Sequence, residues 1–133
     1  MRIVRGDSMW VVLFPDRRSP VYLERLALQC GYRVGELSEA LGHSERYVHE
    51  VFGRDVGLPP KLWLRWERMV VARRLLGGGM DMQEVGERLG FCEGGGFRRE
   101  FRRIYGVPPG EYARQLSRRE IPAQAATAIT PIW

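Results

Sequence analysis

The sequence contains few of the residues from which catalytic and metal sites are usually built. It has two cysteines and two histidines, and Cys30 and Cys92 lie far apart without metal-ligand spacing. His43 and His49 are not four residues apart, the spacing that places two imidazoles on one helix face, and no glycine-rich loop ends in Gly-Lys-Ser or Gly-Lys-Thr. We therefore expect no catalytic residues, no metal site, no cofactor and no enzymatic activity.

Long hydrophobic runs are also missing. The apolar run at residues 9–14 is too short for a membrane span or for the core of a secretory signal. Two distant cysteines are typical of reduced thiols. These features predict a cytoplasmic protein without membrane contact. With 133 residues and a hydrophobic share of 44%, the chain is long enough and apolar enough for one globular domain.

Lysine is nearly absent, although the chain is basic. There are 21 basic residues against 16 acidic ones, the net charge is +5, and Lys61 is the only lysine. The planar guanidinium group of arginine matches phosphate groups and the guanine edge, so this composition favours a nucleic-acid partner. A genome that prefers arginine codons would produce the same bias, and composition alone leaves both explanations open.

The sequence contains an internal repeat. Residues 34–42 (VGELSEALG) align with residues 82–90 (MQEVGERLG) at an offset of 48, and residues 52–65 align with residues 101–114 at an offset of 49. Each copy has the pattern of a helix, a tight turn containing glycine, and a second helix, which is the pattern of a helix-turn-helix unit. The repeat therefore predicts two copies of that unit in one chain.

Local signals predict where the helices lie. Ser44 is a favourable N-cap for a recognition helix in the first copy, and Asp81 with Glu84 forms a capping box in the second copy. Pro60 suits the start of a long connecting helix, which three glycines after Leu76 bring to an end. Apolar spacing predicts a helix at residues 21–30, before the first copy, and the first copy contains helices predicted at residues 34–41 and 45–52.

The connecting helix carries apolar residues on more than one side. Met69 lies on a broad apolar face, and Leu64 lies on a second stripe roughly opposite. A helix with this pattern is either buried or contacted by two bodies. The two copies of the repeat, one before this helix and one after it, supply those bodies.

The motifs resemble the DNA-binding domain of the AraC/XylS family of bacterial transcription regulators. The most specific part is GERLGF at residues 86–91 followed by FRREFRRIYGVPPGEYAR at residues 97–114, and the resemblance covers about residues 21–115. It implies an all-α fold of two helix-turn-helix subdomains joined by a long connecting helix. Residues 1–20, outside the resemblance, are expected to add a short N-terminal extended segment. The resemblance also implies two recognition helices in successive major-groove segments, about 34 Å apart on one face of DNA.

We predict three parts of the chain. Residues 1–20 contain one strand-like run, and because a single strand cannot form a sheet alone, they are a remnant of a larger domain, an arm packed on the helices, or a tail. Residues 21–116 form the DNA-binding domain, and residues 117–133 form a flexible tail. Within the domain we expect the first helix-turn-helix at 34–52, the connecting helix at 60–76 and the second helix-turn-helix at 82–103.

Polar side chains on the first recognition helix are candidate DNA contacts. Val48, Val51 and Phe52 are spaced to face inward, which leaves the polar positions outward. Arginine pairs with guanine and glutamate accepts from the cytosine amino group, so direct readout is chemically feasible; the alternative is a solvated face with an incidental ion pair between positions four apart. The candidates are Ser44, Glu45, Arg46, His49 and Glu50.

The second recognition helix departs from the family pattern. Gly94 and Gly95 occupy positions where the resemblance implies base-reading side chains, and we expect three glycines in this helix to cost about 2–3 kcal/mol. Glu93 places a negative charge near the expected phosphates. The resemblance assigns Arg99 to a base contact and the neighbouring arginines to phosphates, while the alternative is a basic solvated face. The candidates are Arg98, Arg99, Arg102 and Arg103.

The resemblance and the residues together predict a DNA-binding transcription regulator. The expected partner is double-stranded DNA, RNA polymerase is a further candidate partner, and the expected state is a monomer or a weak dimer. Base readout is expected mostly from the first unit. The alternative is a helix-turn-helix scaffold that binds protein and has weak or non-specific affinity for DNA. Whether the chain is a stand-alone regulator or a fragment of a longer one stays open.

Overall fold

The computed structural model describes residues 1–92 and 95–119, and helices dominate within them, as predicted. Three strands come first, and a π-helical segment, Phe52–Val56, follows α3 directly. The strands are β1 (Arg2–Arg5), β2 (Trp10–Leu13) and β3 (Val21–Tyr22), and the helices are α1 (Leu23–Gln29), α2 (Val34–Leu41), α3 (Glu45–Val51), α4 (Pro60–Gly77), α5 (Met82–Arg88), α6 (Gly96–Tyr105) and α7 (Pro109–Arg119).

The N-terminal segment is a three-stranded antiparallel sheet, so the expectation of a single strand is wrong. The strand order is β1-β2-β3, and Ile3 pairs with Val12 while Val12 pairs with Val21. A turn that is closed by a hydrogen bond from the Gly6 amide to the Met9 carbonyl (2.8 Å) joins the first two strands. Val21 and Tyr22 pair with β2, so the helix predicted at residues 21–30 begins at Leu23 instead.

The chain divides into two compact units, residues 1–67 and 68–133. In the first unit, one face of the sheet packs on the helices, because Ile3 and Val12 belong to the same buried cluster as Trp63 of α4. Burial of apolar area is the main stabilising contribution in a unit of this size. The members of this cluster are Ile3, Val12, Leu23, Ala27, Leu37, Leu41, Val48, Val51, Phe52, Trp63 and Leu64.

Asp55 joins β1 to the π-helical segment. Its carboxylate accepts hydrogen bonds from the Ile3 amide (2.8 Å) and from two nitrogens of Arg54, Nε (2.8 Å) and Nη2 (2.9 Å). The Arg54 Nη2 group also donates to the Met1 carbonyl at 2.9 Å. These bonds, and those from Arg54 most of all, lower the pKa of the Asp55 carboxyl to about 2. The first strand is therefore held by a carboxylate 52 residues away.

We expect Asp55→Asn to destabilise the first unit at neutral pH. Because the native pKa lies below the ordinary value near 4, the charged group stabilises the fold above about pH 4, and this contribution is lost as pH falls through about 2. Loss of a charged hydrogen bond costs about 1.5–3 kcal/mol. Denaturant unfolding across pH 2–7 measures the effect. Asp16→Asn, at an exposed carboxylate, is the control, and equal profiles for the two variants would contradict the role of Asp55.

Helix α4 is buried on two sides, as its apolar pattern predicted. Trp63 and Leu64 belong to the core of the first unit, whereas Met69, Ala72 and Leu76 are buried within the range of the second unit. The second unit also buries residues of the next two helices: Val85, Leu89, Phe97 and Phe101. No helix among residues 1–92 and 95–119 is both long and apolar enough to cross a membrane.

The ends of several elements agree with the local signals in the sequence. Helix α2 spans Val34–Leu41 as predicted, and α4 begins at Pro60 and ends at Gly77, one residue beyond the predicted end. Helix α7 continues to Arg119, so the first three residues of the predicted tail are helical. The rest of that predicted tail, residues 120–133, lies outside the described residues.

Candidate nucleic-acid interface

The first helix-turn-helix is built from α2, a glycine turn and α3. Gly42 ends α2 with φ = 75°, a left-handed conformation that favours glycine. The predicted cap of α3 is present, because Ser44 Oγ accepts a hydrogen bond from the Tyr47 amide at 3.2 Å. Val48 and Val51 are buried, which fixes the rotation of α3 about its axis.

This rotation leaves the five candidate residues of the first unit exposed. Arg46 Nε lies 3.9 Å from Glu50 Oε1, and the two side chains are 91% and 66% exposed. A long, exposed ion pair contributes little to stability, so Arg46 is able to exchange this contact for a base or a phosphate, and Glu50 is able to exchange it for a base. The ion pair proposed as the alternative explanation is thus present but weak.

Glu45 has a different position from the other candidates. Its Oε1 lies 3.2 Å from the place that a Cβ atom would take at Gly35, in the first turn of α2. A carboxylate is favourable near a helix N-terminus because of the partial positive charge there. The Glu45 carboxylate therefore lies beside the first turn of α2, and its contact with DNA stays a prediction.

The second helix-turn-helix repeats this design with α5, a glycine turn and α6. Asp81 caps α5, since its Oδ1 accepts from the Gln83 amide at 2.9 Å. Gly90 forms the turn with φ = 79°. At Gly86 of α5, an added Cβ would lie 3.5 Å from the Phe97 ring, so a small residue allows the two helices to approach closely.

Helix α6 presents four exposed arginines. Phe97 and Phe101 are buried four residues apart and direct one side of the helix inward. The opposite side carries two rows of arginines with four-residue spacing, and Glu100 is the only acidic residue of the helix. Four guanidinium groups within two helical turns create a local positive potential suited to a polyanion. The exposed arginines are Arg98, Arg99, Arg102 and Arg103.

The glycines before α6 do not have the structure that we expected. Gly95 precedes the helix with φ = 86°, and α6 begins at Gly96. The predicted loss of helix stability is therefore wrong for Gly95, because Gly95 is not inside the helix. It adopts a left-handed conformation that glycine tolerates better than other residues. Glu93 and Gly94 lie outside the described residues, so the expectations for them stay predictions.

We expect Gly95→Ala to destabilise the second unit by about 1–2 kcal/mol, since a Cβ is unfavourable at φ = 86°. Gly96→Ala is the matched control. It lies at the start of α6, where an added Cβ would meet the Phe91 ring at an ordinary distance of 3.8 Å, so this change should be neutral or stabilising by up to about 1 kcal/mol. The two variants are compared by their denaturant unfolding midpoints. If Gly95→Ala raised the midpoint, the left-handed conformation assigned to Gly95 would be contradicted.

Sequence reasoning gave no role to Arg68, yet this residue contacts the turn of the second unit. Its Nε and Nη2 both donate to the Leu89 carbonyl, at 3.0 and 2.7 Å. Its guanidinium carbon lies 3.6 Å from the centroid of the Phe91 ring. No signal in the sequence identifies this contact, because the two hydrogen-bonded residues are 21 positions apart.

Metal ligands are not grouped in the described part of the chain. Within residues 1–92 and 95–119, no three side chains of His, Cys, Asp or Glu lie together in a way that could hold a metal ion. Cys30 is half-buried and Cys92 is exposed, and both are free thiols. Burial raises the pKa of the Cys30 thiol, which makes it a weaker nucleophile at neutral pH.

Comparison with known families gives a match over both units. The profile of a helix-turn-helix domain family matches residues 37–115, which is more than half of the chain. The chain is also similar to a solved structure, the C-terminal domain of AraT, a response regulator from Geobacillus stearothermophilus. That match has a TM-score of 0.58 and 25% sequence identity, and it covers 69% of this chain and 84% of that one.

Two curated relatives are named as transcriptional activators. The virulence regulon transcriptional activator VirF of Yersinia enterocolitica is 26% identical over 98 residues, covering 73% of this chain and 36% of VirF. The transcriptional activator NphR of a Rhodococcus species is 34% identical over 86 residues, covering 64% of this chain and 25% of NphR. The chain therefore matches about a third of the length of VirF and a quarter of NphR.

Proposed function

This chain belongs to the AraC-type family of helix-turn-helix transcription regulators, and we propose that it binds double-stranded DNA through both of its helix-turn-helix units. Membership of this family also agrees with the expectation that the chain is not an enzyme. The observation that carries the proposal is the exposed arginine face of α6, the second helix of the second helix-turn-helix. Exposed arginines on such a helix are suited to phosphates and to guanine edges.

The two units have different roles in this proposal. In the first unit, Arg46, His49 and Glu50 are exposed on α3, with side chains that can donate to guanine or accept from cytosine. In the second unit, Gly95 has no side chain to read a base. Arg99 is assigned to a base contact, and its three arginine neighbours are assigned to phosphates. The first unit thus supplies most of the base readout and the second supplies mostly affinity.

The remaining partners follow from the same proposal. A bacterial regulator of this kind meets its DNA in the cytoplasm, and both named relatives are activators, which makes RNA polymerase a candidate partner. A monomer or weak dimer, with one DNA segment for each unit, is the expected form. The competing function is a protein-interaction module. The charge of α6, with four arginines against one glutamate, favours the DNA proposal over it.

Salt dependence tests the proposal. A binding site is selected from a random DNA library with the full chain, and the affinity is then measured between about 50 and 200 mM salt. Each phosphate that an arginine neutralises contributes a slope of about −0.9 to the plot of log affinity against log salt. A shallow slope, or no enrichment of any sequence, would favour the protein-interaction module.

We expect Arg102→Ala and Arg103→Ala each to reduce the magnitude of that slope by about one unit, because each removes one phosphate contact. Binding should weaken on all DNA sequences by a similar factor, since phosphates carry no sequence information. Arg18→Ala, at an exposed arginine of the N-terminal segment, is the control and should leave the slope unchanged. A loss restricted to one base sequence would contradict the phosphate assignment.

A further inference from the structure

We infer that Arg68 is a positioning residue for the second recognition helix, α6, and that the phosphate contacts of α6 depend on its planar guanidinium group. This inference rests on the proposed DNA-binding function. Arg68 is half-buried, and two of its nitrogens donate to a single backbone acceptor, the Leu89 carbonyl, at 3.0 and 2.7 Å. It is therefore directed into the protein at the turn between α5 and α6.

The Leu89 carbonyl is a favourable place for such a contact. Leu89 is the C-cap of α5, where carbonyl groups lack partners within the helix and carry a partial negative charge. Leu89 itself is 2% exposed, so water has little access to its side chain. A cation that donates twice to this oxygen satisfies the carbonyl and stabilises the end of the helix.

The neighbouring aromatic ring fixes the orientation of the guanidinium group. The Arg68 carbon Cζ lies 3.6 Å from the Phe91 centroid, which is a close cation–π contact. The Phe91 amide in turn donates to the Gly86 carbonyl at 2.9 Å, so the turn is hydrogen-bonded back to α5. Arg68 thus contacts both residues that flank Gly90, and it holds the turn from two directions.

From Phe91 the contact extends to α6. The Phe91 and Phe97 rings have centroids 5.4 Å apart, and Phe97 is 7% exposed. Phe97 lies in the first turn of α6, directly before Arg98 and Arg99. A shift of the turn would move Phe91, and through the Phe97 ring it would change how α6 presents its arginines. Arg68 acts on DNA binding through these two rings and needs no contact with DNA itself.

Lysine cannot replace arginine in this arrangement. Its ammonium group is a point charge that can donate to the carbonyl, but it has no plane to stack on Phe91 and no paired donors in fixed geometry. Arg68→Lys therefore keeps the positive charge but loses the planar stacking on Phe91 and the paired donors to the Leu89 carbonyl. This variant separates a positioning role from a direct phosphate contact, because lysine neutralises a phosphate as well as arginine does.

The experiment measures DNA affinity against salt for the full chain and for Arg68→Lys, with Arg74→Lys as the matched control. Arg74 is an exposed arginine on the same helix, α4, and its replacement should change nothing. For Arg68→Lys we expect the slope to lose about one unit, which corresponds to roughly eightfold weaker binding at 0.1 M salt. The melting temperature, measured in parallel, should change little. A slope equal to that of the parent would overturn the inference.

Two further measurements separate this inference from the proposed function. Hydrogen exchange at the amides of residues 89–91 and 97 should be faster in Arg68→Lys without DNA, and unchanged exchange would also overturn the inference. If the parent itself shows no salt-dependent binding, the proposed function fails while the exchange data still test the positioning role. Phe91→Leu should reproduce the loss, and the double variant should lose less than the sum of the two single changes.

Discussion

Replacing Met69 by aspartate is expected to unfold the second unit. Met69 has no exposed surface, and Ala72 and Leu76, one and two turns further along α4, are buried on the same side. A carboxylate at this position would be removed from water without a partner, which costs about 3–5 kcal/mol or more. A domain of this kind has a total stability of only about 5–15 kcal/mol.

Far-UV circular dichroism during denaturant unfolding measures this effect. Met69→Leu is the control, because it conserves volume and apolar character and should cost less than about 1.5 kcal/mol. We expect the aspartate variant to show either no cooperative transition for the second unit or a strongly reduced midpoint. A variant that unfolds at the same midpoint as the parent would show that the Met69 face is not buried in solution.

Several helix starts are encoded by residues close to them in the sequence. Ser44, Asp81 and Pro60 each act within a few residues of their own position, and the structure places all three at the helix starts that they predicted. The repeat is also a local signal, because Gly42 and Gly90 occupy equivalent positions in the two copies. Local signals were therefore sufficient to predict where α3, α4 and α5 begin.

The sequence did not predict the N-terminal sheet, because the sheet depends on residues far apart in the chain. The pairing of β1 with β2 depends on burial of Ile3 under the helices and on Asp55, which is 52 residues from Ile3. A short run such as RIVR at residues 2–5 contains no sign of that partner. Gly95 precedes α6 in a left-handed conformation, with φ = 86°, and a rule that treats glycine only as a weak helix former does not predict this conformation.

The candidate site also has a part that the sequence predicts and a part that it does not. Exposure of Arg98, Arg99 and their two neighbours could be predicted, because the buried phenylalanines of α6 have helical spacing and the arginines occupy the other side. The contact of Arg68 with the Leu89 carbonyl could not, since it joins two elements through a backbone atom that has no residue-specific signature. Which exposed side chains reach a base stays a prediction.

A single-base substitution scan across the selected DNA site is expected to show unequal sensitivity in the segments opposite the two units. Opposite the first unit, Arg46, His49 and Glu50 offer long polar side chains on α3, so changes at contacted pairs should each cost about 1–3 kcal/mol. Opposite the second unit, Gly95 offers no side chain, and changes should matter little except near Arg99, where guanine should be preferred.

The scan needs affinities at one fixed salt concentration, because phosphate contacts would otherwise dominate the comparison. Arg99→Ala should abolish the guanine preference, whereas Arg98→Ala, on the adjacent exposed position of α6, should weaken all sequences and leave the preference intact. Equal sensitivity in both segments would contradict the asymmetry. It would mean that the second unit reads bases through backbone groups or water at its glycines, and that the arginines of α6 are not its only contacts with DNA.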